Sequence, residues 1–402
     1  MSSAVWEFKD RCAVSGIGNT KFSRNSGVSE LVMAVEASRA AIRDAGLQSN
    51  DIDGIVRNDA DRVTHNAIAD SLGISDLKYW GVASAGGSAV PSMVGQAVGA
   101  LLSGQATNVL VYRSLNGRSG TRFGLSRAAA GSGDAPTVVG GQGTLDEYFQ
   151  PYGLLSAGTF YAMLAQRHMA EFGTTSEQLG AIAMECRIRA HANPNAMMAG
   201  RELSLSDYMA GRMLSSPLRL FDYCLETDGA CALVVTTTER AADSPAGPVL
   251  IRAVAQGMGP GIQAGRMNTT LMRETYTTWP SAYAAKTLYE RAGLGPEDID
   301  VAQLYDCFTI TVLIQLEDYG FCKKGEGGPF AESGALGLGG SLPINTGGGH
   351  LSEGYIHGLN HVVEGVRQIR GSSTSQVPNA EVCLVTGASP PATGALIFRR
   401  AS

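Results

Sequence analysis

None of the seven cysteines stands in a Cys-x-x-Cys pair; they fall at 12, 186, 224, 231, 307, 322 and 383. An odd, scattered set gives no zinc framework and no paired disulfide scaffold, and it fits the reduced thiols of a cytoplasmic protein. Basic charge is in deficit, with 31 Lys and Arg against 37 Asp and Glu and a net charge of −6. That excludes general nucleic-acid binding, which needs a basic field. No apolar run approaches the ~20 residues that span a bilayer, so no membrane partner is expected. The start, MSSAVWEFKDRC, lacks a charged segment followed by an apolar core, so no secretory signal is expected. Glycine is frequent at 51 residues but shows no short period, which excludes a collagen-like chain.

What is present is a well-filled globular composition, 44% hydrophobic, over 402 residues: two or three ordinary domains or one large duplicated one. A strand is predicted at Cys12–Ile17 and an amphipathic helix over Ser29–Ala45, stopped by Asp44-Ala45-Gly46-Leu47. Asp51-Ile52-Asp53-Gly54-Ile55-Val56 then leads into a strand. The same phrase recurs as Arg291-Ala292-Gly293-Leu294 and Glu297-Asp298-Ile299-Asp300-Val301-Ala302, with Gly46 matching Gly293 and Asp51 matching Asp298 at one constant offset. A duplication follows. It extends to two loops. The small-residue loop Ala83–Ala89 opens a helix ending at Leu102, before the strand Val109–Tyr112. The glycine loop after Asn345 opens a helix ending at Ile369, before the strand Val382–Val385. Ala230–Val235 closes the first half and Val249–Arg252 opens the second. Alternating strands and helices predict layered α/β halves with parallel-rich sheets and ligands at the loop ends. The segment from Leu115 to about Ser216 breaks the rhythm, with Gly-Ser-rich stretches, the cluster Tyr148–Tyr152 and a helix over Phe160–Phe172; it reads as a long insertion forming a lid or binding surface.

The stretch Asn345–Gly371, NTGGGHLSEGYIHGLNHVVEGVRQIRG, concentrates the chemistry. Gly347, Gly348 and Gly349 let backbone N–H groups approach a ligand, and a helix start favours an anion or a polarised oxygen. His350, Tyr355 and His357 are proton carriers in and after this loop. His65, His168 and His191 read as structural, and Tyr148–Tyr152 as loop-domain core or partner interface.

These residues carry a resemblance. His168-Met169-Ala170-Glu171-Phe172-Gly173-Thr174, Asp228-Gly229-Ala230-Cys231-Ala232, Tyr305-Asp306-Cys307-Phe308 and Asn345–Gly358 together resemble the thiolase superfamily, in its sterol-carrier-protein-type branch. The resemblance implies a duplicated five-layered α/β/α/β/α thiolase fold. It implies residues 1–114 and 217–244 as the first half, 115–216 as an inserted loop domain and 245–402 as the second half. A homodimer and an acyl-CoA substrate are implied too, with no cofactor on this chain beyond the CoA moiety and no metal.

The departures from the family pattern set the expected function. Ala83, followed by Ser84, stands at the position of the thiolase nucleophilic cysteine. The second cysteine position falls around Gly387, with Cys383 too early. Tyr355 replaces the histidine of Gly-His-Pro, and Tyr305 replaces the Asn or His heading the other motif. Two tyrosines in these places resemble the steroid side-chain aldolases, often described as lipid-transfer proteins. Such a lyase cleaves a 17-hydroxy steroid side-chain acyl-CoA to a 17-ketosteroid and propionyl-CoA, and works with a small OB-fold and zinc-ribbon protein that holds its own zinc. The expected catalytic residues are Tyr355, Tyr305, Cys307 and His357; Gly347–Gly349, His350 and Ser84 are expected against the CoA thioester. A tyrosine has an ordinary pKa of ~10, so a tyrosine base needs a neighbouring cation or donor, for which His350, His357 or a helix N-terminus are the candidates. The alternatives are a thiolase-type acyltransferase using Ser84 or Cys307, and a thiolase-like carrier of acyl-CoA or lipid without chemistry.

Overall fold

The computed structural model describes residues 7–84, 86–120, 150–154, 156–261, 275–388 and 392–401. In the first half β1 (Cys12–Asn19) is followed by α1 (Glu30–Asp44), β2 (Gly54–Asn58), α2 (His65–Leu72), β3 (Tyr79–Ala83), α3 (Val90–Leu102) and β4 (Asn108–Asn116). The insertion contributes α4 (Ala157–Phe172), α5 (Ser176–Ala192), α6 (Leu205–Ala210) and a small hairpin of β5 (Met213–Ser215) and β6 (Leu218–Arg219). The long β7 (Asp228–Thr237) and short α7 (Thr238–Ala241) complete the half. The second half runs β8 (Val249–Gly257), α8 (Pro280–Ala292), β9 (Val301–Gln303), α9 (Thr309–Asp318), α10 (Gly327–Glu332), α11 (Gly349–Ser352), α12 (Leu359–Arg370), β10 (Val382–Thr386) and β11 (Thr393–Arg400).

The strands lie in the order β3-β2-β4-β7-β1-β8-β11-β10-β9. Read outward from the β1–β8 junction, both halves repeat one plan. β1, β7, β4 and β2 match β8, β11, β10 and β9, with antiparallel pairs next to the junction and parallel pairs beyond. The partner of β3 in the second half is reduced to a single parallel bridge, Ala302 with Ile344. The helix stops are also repeated: Gly46 and Gly293 both adopt left-handed φ, at 74° and 66°. Ser29 caps α1, its hydroxyl accepting from the Val32 N–H at 3.3 Å.

Side chains alternate across the central strands β7, β1, β8, β11 and β4, and both faces are largely buried, as strands covered by helices on both sides require. In β7, Ala230, Ala232 and Val234 pack with α1 and α2, whereas Cys231, Leu233 and Val235 pack with α3 and α12. In β11, Leu396 and Phe398 face that same central pair, and Ala395 and Ile397 face α8 and α9. The layers are therefore α1/α2, the first half-sheet, α3/α12, the second half-sheet and α8/α9, a five-layered α/β/α/β/α body. The insertion packs against the second half from behind: Asn193, after α5, donates to Gly347 O at 2.9 Å, and Arg187 of α5 donates to Ser352 Oγ at 3.0 Å. Its described part braces the glycine loop. Tyr148 and Phe149 lie outside the described residues.

Candidate active site

The two loops that open the central helices converge, and the tyrosines meet between them. Tyr305 follows β9; its N–H donates to Thr386 Oγ1 at 3.0 Å, and its carbonyl accepts from Thr311 Oγ1 (2.9 Å) and Gln315 Nε2 (2.7 Å). Tyr355 stands in the turn between α11 and α12, its N–H donating to Thr227 Oγ1 at 3.1 Å. With their backbones pinned from β10 and from the residue before β7, the hydroxyls of Tyr305 and Tyr355 are hydrogen-bonded to each other at 2.8 Å. Tyr305 is buried and Tyr355 partly buried. Burial pushes both hydroxyls well above the ordinary 10. At Tyr305 the hydrogen bond to Tyr355 and the Arg113 guanidinium oppose burial, whereas every neighbour of Tyr355 pushes the same way as burial.

The first-half loop makes room for this pair. A Cβ on Gly87 would stand 1.9 Å from the Tyr305 hydroxyl oxygen, so the ring tip rests on backbone that only glycine offers. Ala83 is buried and Ser84, beside it, is exposed. At the second cysteine position Gly387 is closed: a Cβ there would lie 2.6 Å from Ser88 O.

Beneath the tyrosines sits His350, edge-on to Tyr305 (4.7 Å between ring centroids) and Tyr355 (4.9 Å). It is fully buried, beneath the tyrosines and not on an open CoA groove as the sequence suggests. Burial, aided by His361, pulls its pKa well below 6.5 against the opposing Asp306 charge, which disfavours the cation a tyrosine base needs. Asp306 is the anchor of this layer. Its carboxylate accepts from the backbone N–H of His350 (2.8 Å) and Leu351 (3.2 Å), from His361 Nε2 (2.8 Å) and from Cys186 Sγ (3.6 Å). Burial alone would raise its pKa, but His350, the His361 bond and the backbone donors hold it at about 2. Asp306, His350 and His361 bring ligand-type atoms within 4.8 Å of one another, a donor set of the kind that holds a metal. Four protein donors already fill the Asp306 oxygens, which favours a carboxylate–imidazole brace under the tyrosines.

The glycine run departs from expectation. Gly347, Gly348 and Gly349 are buried, and a Cβ on each would meet Glu353, Ala190 and Asp306 respectively. The close approach these glycines permit is to the protein itself; left-handed φ at Gly349 (63°) brings its Cα against the Asp306 carboxylate. Cys307 is buried, its thiol pushed up to about 12 by burial, which leaves roughly one part in 10⁵ as thiolate at neutral pH. Cys224, whose N–H donates to Cys307 O at 3.0 Å, is also raised well above its ordinary value by burial.

His357 lies edge-on to Tyr355 at 4.8 Å, with φ at 49°, and is tied through Nδ1 to Nη2 of Arg113. Arg113 comes from β4, in the first half, and pairs with Asp61 at 3.3 Å, both wholly buried. Gly87, Arg113, Asp61 and His361 were not singled out by the sequence. A charged residue directly after the apolar run Val109-Leu110-Val111-Tyr112, on a strand buried on both faces, was the one available signal for Arg113. Of the histidines read as structural, His168 bridges Thr174 and Glu317 in the core and His65 stacks on Trp80.

Comparisons with known proteins place this geometry. A family model described as "Thiolase C-terminal domain-like" matches residues 263–397. The chain is 42% identical to the steroid side-chain-cleaving aldolase of Thermomonospora curvata, over 96% of this chain and 97% of that protein. It is 41% identical to the 17-hydroxy-3-oxo-4-pregnene-20-carboxyl-CoA lyase of Mycobacterium tuberculosis, over 96% and 99%. A solved structure described as an Ltp2-ChsH2(DUF35) aldolase superposes with a TM-score of 0.90 at 41% identity, over 98% of each chain. A monomeric SCP2-thiolase-like protein from Mycobacterium smegmatis, at 19% identity and a TM-score of 0.74, shares the fold. The chain belongs to the thiolase-like family, alongside the steroid side-chain-cleaving aldolases.

Proposed function

We propose that the chain is a carbon–carbon lyase, a retro-aldolase that cleaves a 17-hydroxy steroid side-chain CoA thioester to a 17-ketosteroid and propionyl-CoA. The observation that carries the reading is the pair of tyrosine hydroxyls 2.8 Å apart, in a site whose two thiolase cysteine positions are Ala83 and Gly387. The substrate class is taken from the relatives of similar length, one of them named for a 17-hydroxy steroid carboxyl-CoA. In such a thioester the 17-hydroxyl is β to the carbonyl. Loss of its proton lets the carbonyl form at C17 as the Cα–Cβ bond breaks. The electron pair of that bond becomes the thioester enolate, which takes a proton at Cα, so atoms and charge balance without a covalent enzyme intermediate or a cofactor on this chain.

Tyr305 takes the proton from the hydroxyl while handing its own phenolic proton across the 2.8 Å bond to Tyr355, and Tyr355 gives its own proton to the enolate at Cα, so both tyrosines start and end neutral. This assignment rests on the asymmetry around them, since the Arg113 charge opposes burial at Tyr305 and no cation does so at Tyr355. His357 serves as a donor near the thioester oxygen. Cys307 lines the floor as a protonated thiol, and Ser84 lies at the open side with the CoA. The Gly347–Gly349 run acts indirectly, by seating Asp306 and His350.

The chain is further proposed to act as a homodimer joined with a DUF35-type partner in the cytoplasm. β3 is an edge of the sheet and exposes Trp80 and Val82, which suits pairing with a second copy. The partner is taken from the solved relative. The location rests on seven free cysteines. Among the described residues no helix is long and apolar enough to cross a membrane.

The test incubates the chain, with such a partner, with a 17-hydroxy steroid CoA thioester and follows the ketone and propionyl-CoA. Cleavage is expected, and Tyr355→Phe is expected to lower kcat by about 10²–10⁴. Absence of cleavage, or full activity in Tyr355→Phe, sinks the reading. An acyltransferase would instead accumulate a covalent acyl-enzyme visible by mass spectrometry, and a carrier would bind the thioester without turnover.

A further inference from the structure

Arg113 is a buried cation whose charge opposes burial at Tyr305, yet its guanidinium contacts neither tyrosine hydroxyl in a hydrogen bond and ends elsewhere. It reaches from β4 across the boundary between the halves to the loop carrying Tyr355. Burying a charge is costly unless it is paired and hydrogen-bonded. Here the pairing is built with care. Asp61 faces Arg113 Nη1 at 3.3 Å, and is itself held by the N–H of Asn58 (2.9 Å) and of Ser114 (3.3 Å). Arg113 Nη2 contacts Nδ1 of His357, while its Nε and Nη1 make no hydrogen bond among the described residues, Nη1 having only the ion pair with Asp61. A side chain placed only to balance Asp61 would have no reason to end on an imidazole in the opposite half.

A guanidinium has only donors to offer, so the His357 atom facing it must be the acceptor. That settles the tautomer: Nδ1 carries the lone pair and the proton sits on Nε2. Adding a second proton would set an N–H on Nδ1 against the guanidinium and place two cations side by side in a buried space. The residue is also held in the left-handed region at φ 49°, a conformation that non-glycine residues keep only where surroundings over-determine it. Among the described residues, the charged and titratable groups placed against His357 include Arg113 on β4, Asp61 behind it, Tyr355 in its own loop, and Tyr305 beyond Tyr355.

We propose that Arg113, braced by Asp61, is a positioning residue that locks His357 as a neutral Nε2–H donor beside Tyr355. The inference rests on the lyase reading for its catalytic consequence. In that site His357 donates to substrate oxygen and does not serve as the base, so the proton inventory belongs to the two tyrosines. One half of the molecule thus sets the protonation state of a residue in the other.

The experiment reads the tautomer directly. The chain has six histidines, and with ¹⁵N-labelled histidine the His357 signals are identified as those lost in His357→Gln. In the wild-type protein an unprotonated Nδ1 and protonated Nε2 are expected, unchanged between about pH 5.5 and 8.5. In the charge-neutral pair Arg113→Met with Asp61→Asn, a protonation step of His357 should appear within that range. With cleavage of the thioester as a second readout, the pair should lose about 100-fold in kcat with little change in KM, and gain an acid limb in its pH profile. A wild-type His357 protonated on Nδ1, or titrating across that range, overturns the proposal without need of any variant. So does a folded double variant with wild-type kcat and pH profile. Failure of the wild-type protein to cleave the thioester would sink the lyase reading while leaving the tautomer result to stand on its own.

Discussion

The loops that open the two central helices descend from one repeated plan, and they have moved in opposite directions. The first-half loop has shed side chains: Ala83, Gly86 and Gly87 occupy the bend before α3. The second-half loop and its neighbour after β9 have gained rings, with Tyr305, His350, Tyr355 and His357 stacked edge-to-face within 5 Å of the next. The two changes are one change. Space given up on one side is filled from the other, and the Tyr305 hydroxyl rests where a Gly87 side chain would stand. The difference teaches that chemistry in this fold can be relocated from a nucleophile on one loop to a hydroxyl pair on the other without altering the five layers.

The largest effect that would break this comparison is an asymmetry of single-atom deletions. Tyr305→Phe removes one oxygen and is expected to lower kcat by about 10²–10⁴, with the protein still folded by circular dichroism. Ser84→Ala also removes one oxygen, from the first-half loop, and is expected to leave kcat within about twofold. Comparable losses from both would show that the first loop still carries chemistry.

Next in size is a filling of the vacated space. Gly87→Ala places a methyl 1.9 Å from the Tyr305 oxygen, and the ring has to move. The expected cost is about 1–3 kcal/mol of stability, with kcat reduced about 100-fold as the displaced Tyr305 hydroxyl loses its partner. Gly99→Ala, on the exposed side of α3 with open space around it, is the internal control. It should raise stability by about 0.5–1 kcal/mol and leave turnover unchanged. If both substitutions behave alike in urea melts and in turnover, the complementarity of Gly87 and Tyr305 has no functional weight.

Much of the frame could be read from residue order. Ser29 and Gly46 bound α1 because a hydroxyl cap and a left-handed glycine are local devices, and the repeated Ala-Gly-Leu with its Asp-Ile-Asp announced the second copy. Tyr355 and Tyr305 were visible as departures at fixed motif positions. What stayed hidden depends on contacts between distant segments. Gly87 looked like one more glycine in a small-residue loop, and only the fold brings it under Tyr305. Arg113 looked like the end of a strand. The Gly347–Gly349 run was legible as close-approach backbone, yet sequence does not say what approaches; the answer is Asp306, Ala190 and Glu353, not an open ligand cradle. His350 could be seen as a proton carrier but not as one whose cation is disfavoured, because burial and the proximity of His361 belong to the assembled core.

The smallest effect concerns how the second-half loop is held. Glu353, two residues before Tyr355, is buried; its carboxylate accepts from Asn360 Nδ2 at 3.3 Å and lies 4.0 Å from Arg367 Nη1. Burial, and then the nearby Glu364, push its pKa up to about 7, against the opposing pull of Arg367. The native state therefore binds a proton here that the unfolded chain, at an ordinary 4.5, has released. Protein stability from this group is full below about pH 4.5 and falls as pH rises through about 7. Glu353→Gln removes the titration, so wild type and variant should diverge only on the alkaline side. By differential scanning calorimetry the variant should melt about 1–3 °C above wild type at pH 8, with the gap shrinking toward pH 5. A gap that is constant with pH, or of opposite sign at pH 8, would mean that Glu353 is ionised in the native loop and that Arg367 outweighs its burial.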